Sequence, residues 1–357
     1  MFDLAIRNGM LVTADRVFGG HLYVRNGKIA AISDDGTLPA REELDAAGLY
    51  VLPGMLDCHA HINDPGFTWR EDLPHASEAA AVGGVTTLID MPLQNTPPLT
   101  SADAFANKLA VFEGRSLVDY ALWGGLVTDN AAELAGMEAA GAVGFKAFIA
   151  PVSLGYSSVD MGLAREALFR IKAFGGLAGF HCEDHALICA GEAKAKAGGG
   201  TRRAFLDSRP VVAEVIATAN VIELARETGA RVHICHVSHP RVAELVRRAQ
   251  ADGLSVTGET CPHYLVFTEE NLLSCGTVFK CAPPLRTAEA RDGLWEYVLD
   301  GTLSCIGSDH SPSRPDEKDE AVHGVMGAWG GLSGLQSLVQ VMFDQAVTRR
   351  GCSPSLL

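Results

Sequence analysis

Several apolar segments of the chain end in side chains that bind metal ions in proteins. The segment DCHAH carries His59 and His61 two positions apart. Alternate side chains of a β-strand lie on one face, so this spacing predicts two imidazoles that point the same way. Later segments contribute further candidates, which are Lys146, His181, His236, Glu259, His263 and Asp309. A lone histidine in such a segment is more often a hydrogen-bonded core residue, and only the whole series indicates a metal site.

The chemistry of this series fits divalent cations. Four imidazoles and one carboxylate suit a borderline-soft ion such as zinc, although manganese, cobalt and iron accept the same ligands. The set is large for one tetrahedral ion and sufficient for two. His233 has the opposite strand parity to His236, so at most one of the two faces the site, and His236 is nearer the strand end. The predicted ligands are therefore His59, His61, His181, His236 and Asp309.

Lys146 interrupts an apolar segment, VGFKAFIAP. Burying an unpaired ammonium is costly. Two adjacent cations need an anionic bridge, and a buried lysine that loses its proton can add CO2 to become a carbamate. Lys146 is therefore a candidate bridge between two metal ions. The alternative is a buried lysine paired with a carboxylate such as Glu259.

Strand-like segments carry these residues, and helix-like segments alternate with them. Eight strands, each followed by a helix, predict an α/β fold of the TIM (β/α)8 barrel type, whose active site lies at the C-terminal ends of the strands. A doubly wound open sheet is the rival, but it usually has fewer strands, and this sequence lacks its glycine-rich first turn. Helices are predicted within residues 70–84, 101–114, 240–253 and 330–349.

The first part of the chain has a different pattern, in which short apolar runs alternate with turn residues. It predicts a small β-sandwich domain over residues 1–53, followed by the barrel over residues 54–357. The pairs Asn8-Gly9 and Asn26-Gly27 lie between apolar runs, which predicts a hairpin turn at each. The charged segment SRPDEKDE, residues 313–320, is predicted to be a solvated loop.

Composition narrows the class of protein. The 357 residues have a formal net charge of −14 and a hydrophobic fraction of 47%. An acidic chain without a basic stripe argues against nucleic acids and anionic membranes as partners. Nine cysteines without a CxxC pair indicate reduced thiols, and the N-terminus has no pattern typical of an export signal. A cytoplasmic enzyme that acts on a small molecule is expected.

A set of motifs is similar to that of the cyclic amidohydrolases, which include allantoinases, dihydropyrimidinases (hydantoinases) and dihydroorotases. These motifs are PGMLDCHAH, HCE, HVS, ETCPHYL, KCAPPLR and GSDHSP. The resemblance implies a homotetramer with two divalent metal ions per subunit and a hydrolytic reaction on a cyclic amide. Family members continue beyond the point where this chain ends, so it also implies that the β-sandwich lacks its C-terminal part and that stability is reduced.

The resemblance also implies roles for individual residues. His59 and His61 would bind the more buried metal, and His181 and His236 the more exposed one. Lys146, as N6-carboxylysine, would bridge the two metals. Asp309 would complete the first metal's ligands and act as the catalytic proton shuttle. The residues expected to contact the ring are Asn63, Cys281 and Gly330.

Within this group, three segments resemble the allantoinases most closely: DMPLQNTPP, FKCAPPLR and AWGGLSGLQS. Asn63 stands where dihydroorotases have an arginine, and Pro151 lies near the position where dihydropyrimidinases have a tyrosine. The implied reaction is the opening of (S)-allantoin to allantoate. The alternatives are a hydantoinase or dihydropyrimidinase, a one-metal amidohydrolase, and a non-catalytic scaffold that kept the barrel.

Overall fold

The computed structural model describes residues 1–152 and 155–357. Its first strands form one sheet in the order β3-β2-β1-β4, with β5 also paired to β1. The β1–β2 and β2–β3 pairs are antiparallel, whereas β4 and β5 lie parallel to β1. The strands are β1 (Phe2–Val12), β2 (Val17–Arg25), β3 (Lys28–Ser33), β4 (Ala40–Asp45) and β5 (Tyr50–Val51).

The two Asn-Gly pairs behave differently. Asn26 and Gly27 form the tight turn between β2 and β3, with φ angles of 53° and 71°. Both angles are positive, as a two-residue turn matched to the twist of a hairpin requires. This predicted hairpin is confirmed.

The hairpin predicted at Asn8-Gly9 is wrong, because β1 continues through it. The ladder to β2 shifts register between Ile6 and Gly9, so the extra residues form an irregularity within the strand. Asn8 has a φ of 60° and donates from Nδ2 to Asp45 Oδ1 at 2.9 Å. The contact with Asp45, on a strand distant in sequence, thus stabilises the positive φ of Asn8 within β1. The sequence alone suggests that this φ belongs to a turn.

A second series of strands alternates with helices. The strands are β6 (Met55–Ala60), β7 (Val85–Asp90), β8 (Asp119–Leu122), β9 (Gly124–Gly125), β10 (Phe145–Phe148), β11 (Leu177–His181), β12 (Arg231–Ile234), β13 (Val256–Thr260) and β14 (Cys305–Ile306). The helices are α1 (Leu73–Gly83), α2 (Ala102–Phe112), α3 (Leu134–Ala139), α4 (Met161–Ala173), α5 (His185–Ala197), α6 (Arg202–Ser208), α7 (Val211–Thr228), α8 (Pro240–Ala251), α9 (Pro262–Val266), α10 (Glu269–Cys275), α11 (Ala288–Leu299), α12 (Glu320–Gly327) and α13 (Leu338–Met342).

These later strands form two sheets, with the orders β14-β13-β12-β11-β10-β9 and β6-β7-β8. Every pair of neighbours from β9 to β14 is parallel. The chain passes from one sheet to the other at β8 and β9, where Trp123 N donates to Asp90 O and Gly124 N donates to Gly144 O. The predicted α/β class and the predicted strand segments are therefore confirmed. Because the strands are parallel, their C-terminal ends meet at one edge.

The predicted helices are present, and the local sequence explains where they begin. The side chain of Asp72 accepts a hydrogen bond from His75 N at the start of α1, and Ser101 does the same for Ala104 N at the start of α2. Such caps satisfy backbone donors that the first turn leaves free. The segment predicted at 330–349 is less regular, since α13 is followed by a π-helical stretch over Phe343–Thr348. The charged segment at 313–320 contains a short 3-10 helix at Pro315–Lys318.

The chain divides into two compact units, one formed by residues 1–55 with 339–357 and the other by residues 56–338. This grouping differs at the C-terminus from the predicted domains, which placed residues 339–357 with the barrel. Among the described residues, no helix has the length and apolar character needed to cross a membrane.

A buried ion pair supports the second unit. Lys108 of α2 and Asp90 at the end of β7 form an ion pair in which both side chains are fully buried. Lys108 Nζ also donates to Asn95 Oδ1 at 2.5 Å and to Ile62 O at 3.1 Å. Burial raises the pKa of Asp90 to about 6, although Lys108 opposes that shift.

We expect Lys108→Met to lower the free energy of unfolding by about 3–5 kcal/mol, because it leaves the buried Asp90 without its cation. Chemical denaturation followed by circular dichroism measures this change. The control is Lys194→Met, which makes the same substitution at an exposed position of α5. Equal stability of the two variants would show that the pair does not matter for folding.

Candidate functional site

The strand ends bring the six predicted metal ligands to one cavity of about 480 Å³. Each ligand lies within a strand or in the residues that follow one, as expected for a site at the C-terminal ends of parallel strands. His59 belongs to β6 and Lys146 to β10, whereas His181 is the last residue of β11. The cavity is lined by all six: His59, His61, Lys146, His181, His236 and Asp309.

Asp309 and two imidazoles form a close cluster in this cavity. Asp309 Oδ1 lies 3.2 Å from His61 Nε2 and 3.4 Å from His59 Nε2. One donor atom from each of the three residues lies within 4.8 Å of the other two. This spacing is what a single small cation needs, so the cluster could hold one metal ion.

The other two histidines, His236 and His181, extend the cluster from His59. The His181 and His236 rings are 4.5 Å apart between centroids, and the His236 and His59 rings are 5.4 Å apart. Phe148 stacks against His181 with a centroid distance of 4.9 Å. A continuous row of imidazoles therefore lines the cavity.

Lys146 is fully buried, and its Nζ has no hydrogen-bond partner among the described residues. The suggested pairing with Glu259 is wrong, because that carboxylate is held elsewhere. Glu259 contacts His59 Nδ1 and lies 3.4 Å from His233 Nε2. A protonated amine left unpaired in this position would be costly. The imidazoles that line the cavity and the unpaired Nζ together fit a Lys146 whose amine is modified, as in a carbamate.

Nearby charges set the protonation of the site. Burial disfavours a charged His59, but Glu259 and Asp309 outweigh it and raise the pKa of His59 to about 10. Burial lowers the pKa of His61 to about 4. Burial would raise the pKa of Asp309, but His59, His61 and His236 hold it well below its usual range. The carboxylate of Asp309 is therefore anionic at neutral pH.

Three residues that line the cavity have an unfavourable backbone conformation. His236, Asp309 and Gln94 have φ angles of 37°, 46° and 64°. Residues other than glycine seldom adopt positive φ, and such conformations persist mainly where the surroundings impose them for function. At His236 and Asp309 the strained backbone directs the side chain into the cavity just beyond a strand.

A buried series of ion pairs, which sequence reasoning missed, orients His181. His181 Nε2 lies 2.7 Å from Glu183 Oε2, and Arg209 Nη2 lies 2.5 Å from the same oxygen. Burial would raise the pKa of Glu183, but Arg209 and His181 lower it to about 2. Because Nε2 is occupied, Nδ1 is the nitrogen that His181 can offer to a ligand. The motif HCE was a usable signal, since it places Glu183 two residues after His181.

We expect Glu183→Gln to weaken metal binding by about 10- to 100-fold, because the amide orients and polarises His181 less well. Competition with a chromophoric chelator measures the affinity. The matched control is Glu192→Gln, which removes a carboxylate that contacts Arg209 at 2.8 Å but does not contact His181. Equal losses in the two variants would mean that the general charge, and not the contact with His181, matters.

Two of the three residues predicted to contact the substrate ring line the cavity. Cys281 and Gly330 line the cavity, but Asn63 is not among its described lining residues. Asn63 is fully buried, and its Nδ2 lies 3.5 Å from the carbonyl oxygen of His61. Lining residues that sequence reasoning did not identify include Gln94, Phe148, Arg209, Ser311 and Trp329.

Comparison with known proteins places this site in a family. The sequence matches the family model described as dihydro-orotase-like over residues 48–241, which is more than half of the chain. The chain belongs to the dihydroorotase-like family. It is 40% identical to the allantoinase of Escherichia coli (strain K12), in an alignment that covers 99% of this chain and 78% of that protein. The resemblance seen in the motifs is therefore confirmed.

Solved structures of dihydroorotase-like relatives have the same fold. The L-hydantoinase (dihydropyrimidinase) from Arthrobacter aurescens superposes with a TM-score of 0.96 at 36% identity, covering 100% of this chain and 80% of that one. The dihydropyrimidinase from Brevibacillus agri NCHU1002 gives a TM-score of 0.91 at 28% identity, covering 100% of this chain and 79% of that one.

Proposed function

We propose that this dihydroorotase-like protein hydrolyses a cyclic amide, with (S)-allantoin as substrate and allantoate as product. The observation that carries the proposal is one cavity lined by four imidazoles, the carboxylate of Asp309 and a buried lysine that has no hydrogen-bond partner in the part of the chain that the structure describes. Sequence identity of 40% to an allantoinase over nearly the whole chain supports this substrate.

The donor set fits two divalent metal ions per subunit. Imidazole and carboxylate ligands suit zinc, and manganese, cobalt or iron could replace it. His59, His61 and Asp309 would hold one ion, and His181 and His236 the other. Lys146, carrying a carbamate derived from CO2, would hold both. When bound, such ions lower the pKa of a water molecule towards neutrality and polarise the ring carbonyl.

Within this proposal, Asp309 moves the proton. Water adds to a ring carbonyl carbon, and the carbon–nitrogen bond of the ring then breaks. Asp309 accepts the proton of the attacking water and delivers it to the departing ring nitrogen, first as general base and then as general acid. The contacts of Asp309 Oδ1 with His61 and His59 hold the carboxylate in the wall of the cavity. No covalent bond between substrate and protein is required.

The same proposal includes a closed (β/α)8 barrel. Hydrogen bonds at Trp123 and Gly124 join the two sheets on one side. On the other side, His310, which follows β14, forms a parallel bridge with Ala60 at the end of β6. The proposal also keeps the domains at 1–53 and 54–357, which rest on the change in sequence pattern, and a cytoplasmic location, which rests on the cysteine usage. A homotetramer follows from the family resemblance, and size-exclusion chromatography with light scattering tests it.

Hydantoin or dihydrouracil is the second candidate substrate, favoured by the close structural match to the Arthrobacter hydantoinase. Purified protein loaded with zinc should be assayed with allantoin, hydantoin and dihydrouracil. We expect the largest kcat/KM for allantoin. A larger value for either of the other rings would assign the chain to the second candidate function.

A further inference from the structure

Gln94 is a polar cavity residue that the reaction described above does not use. It follows β7 closely, lines the same cavity as the six predicted ligands and is only 7% exposed. Its Oε1 is buried without a hydrogen-bond partner among the described residues. The next residue provides a contrast, because Asn95 donates to Leu93 O at 3.1 Å and accepts from Lys108 at 2.5 Å. Asn95 therefore holds the loop together, whereas Gln94 Oε1 has no such role among the residues that the structure describes.

The surroundings of Gln94 make this lack of a partner costly. Leu93 and Phe148 belong to one apolar cluster, Val152 packs against it, and all three also line the cavity. A buried polar group left unpaired in a cavity with apolar walls loses the hydrogen bonds that water would provide. Gln94 also has the left-handed backbone noted above, with a φ of 64°. Two unfavourable features at one cavity residue indicate that a ligand provides the missing contact.

The chemistry of a carboxamide indicates which ligand group this is. A carboxamide has both donor and acceptor atoms, so its natural partner is another planar group of the same kind, such as a urea. Allantoin is a hydantoin ring that carries a ureido group on its saturated carbon, whereas hydantoin has only hydrogen there. The ring itself also contains a urea unit, but the exocyclic ureido group is the carboxamide partner that allantoin has and hydantoin lacks.

We propose that Gln94 is a specificity-determining residue whose carboxamide hydrogen-bonds the ureido group of the substrate. The inference rests on the proposed function and deepens it, because it explains how one site prefers a ureido-substituted ring to the bare ring. A site with a buried polar group strongly disfavours a ligand that leaves the group unpaired.

The test compares Gln94→Met with the wild type on allantoin and on hydantoin. Methionine has similar length and the same branching at Cβ, so it removes the amide without adding backbone strain. We expect kcat/KM for allantoin to fall by about 10- to 100-fold and the preference for allantoin over hydantoin to fall at least about 10-fold. If hydantoin is not turned over, its inhibition constant against allantoin replaces its kcat/KM.

Two further variants make the result decisive. Gln336→Met makes the same change at an exposed position and should leave both values unaltered. Gln94→Gly removes the amide and relieves the positive φ, so it should lose the preference even if Gln94→Met folds poorly. An unchanged preference in both Gln94 variants, or equal losses on the two substrates, would overturn the inference. A wild type that opens hydantoin but not allantoin would instead contradict the proposed function.

Discussion

Replacing Lys146 with alanine is expected to abolish the binding of two metal ions per chain and to lower kcat/KM by about 10³-fold or more, as when one member of an interdependent catalytic set is removed. Lys146 is fully buried, and its Nζ has no partner among the described residues. Without the proposed carbamate, two cations would lie side by side with no anion between them. Metal analysis after gel filtration and an allantoin assay measure the two effects.

The control for this variant is Lys194→Ala, which removes a lysine at an exposed position of α5. Circular dichroism should show that both variants remain folded, because alanine leaves no unpaired charge at position 146. A Lys146→Ala protein that keeps two metals and normal turnover would refute the bridging role of the lysine. Mass spectrometry of the wild type under native conditions should also detect the added CO2.

The second large effect is expected for Asp309→Asn. Asparagine cannot accept and return the proton, and loss of a general acid–base group costs about 10²- to 10⁴-fold in rate. Asn tolerates positive φ at least as well as Asp, so the backbone at 46° should persist. We therefore expect kcat to fall by about 10²- to 10⁴-fold while the melting temperature changes little.

The comparison variant is Asp252→Asn, which removes an exposed carboxylate that pairs with Arg226. It should leave kcat near the wild-type value. If Asp309→Asn retained more than about a tenth of wild-type kcat, a loss smaller than general acid–base catalysis predicts, another group would have to carry the proton.

The sequence was informative wherever the chemistry followed from local spacing. The alternation of strand and helix placed the cavity, and the positions of His59, His181 and Asp309 near strand ends brought these residues to it. The hairpin at Asn26-Gly27 needed only its two central residues. These features depend on neighbours in the chain, which a single sequence displays.

Features that depend on distant residues were not predictable in the same way. Asn8-Gly9 has the same two residues as the true turn, but the contact of Asn8 with Asp45 keeps it inside a strand. The pairing of Glu183 with Arg209 joins residues 26 positions apart. Gln94 lies in the motif DMPLQNTPP, yet only the structure shows that its Oε1 is buried and has no partner among the described residues.

The most direct test is to measure metal content and allantoin hydrolysis in the same preparation while zinc is titrated into metal-free protein with bicarbonate present. A binuclear hydrolase predicts that formation of allantoate rises with zinc and reaches its maximum at two ions per chain. Full activity at one ion per chain, or no allantoin hydrolysis when two ions are bound, would contradict it.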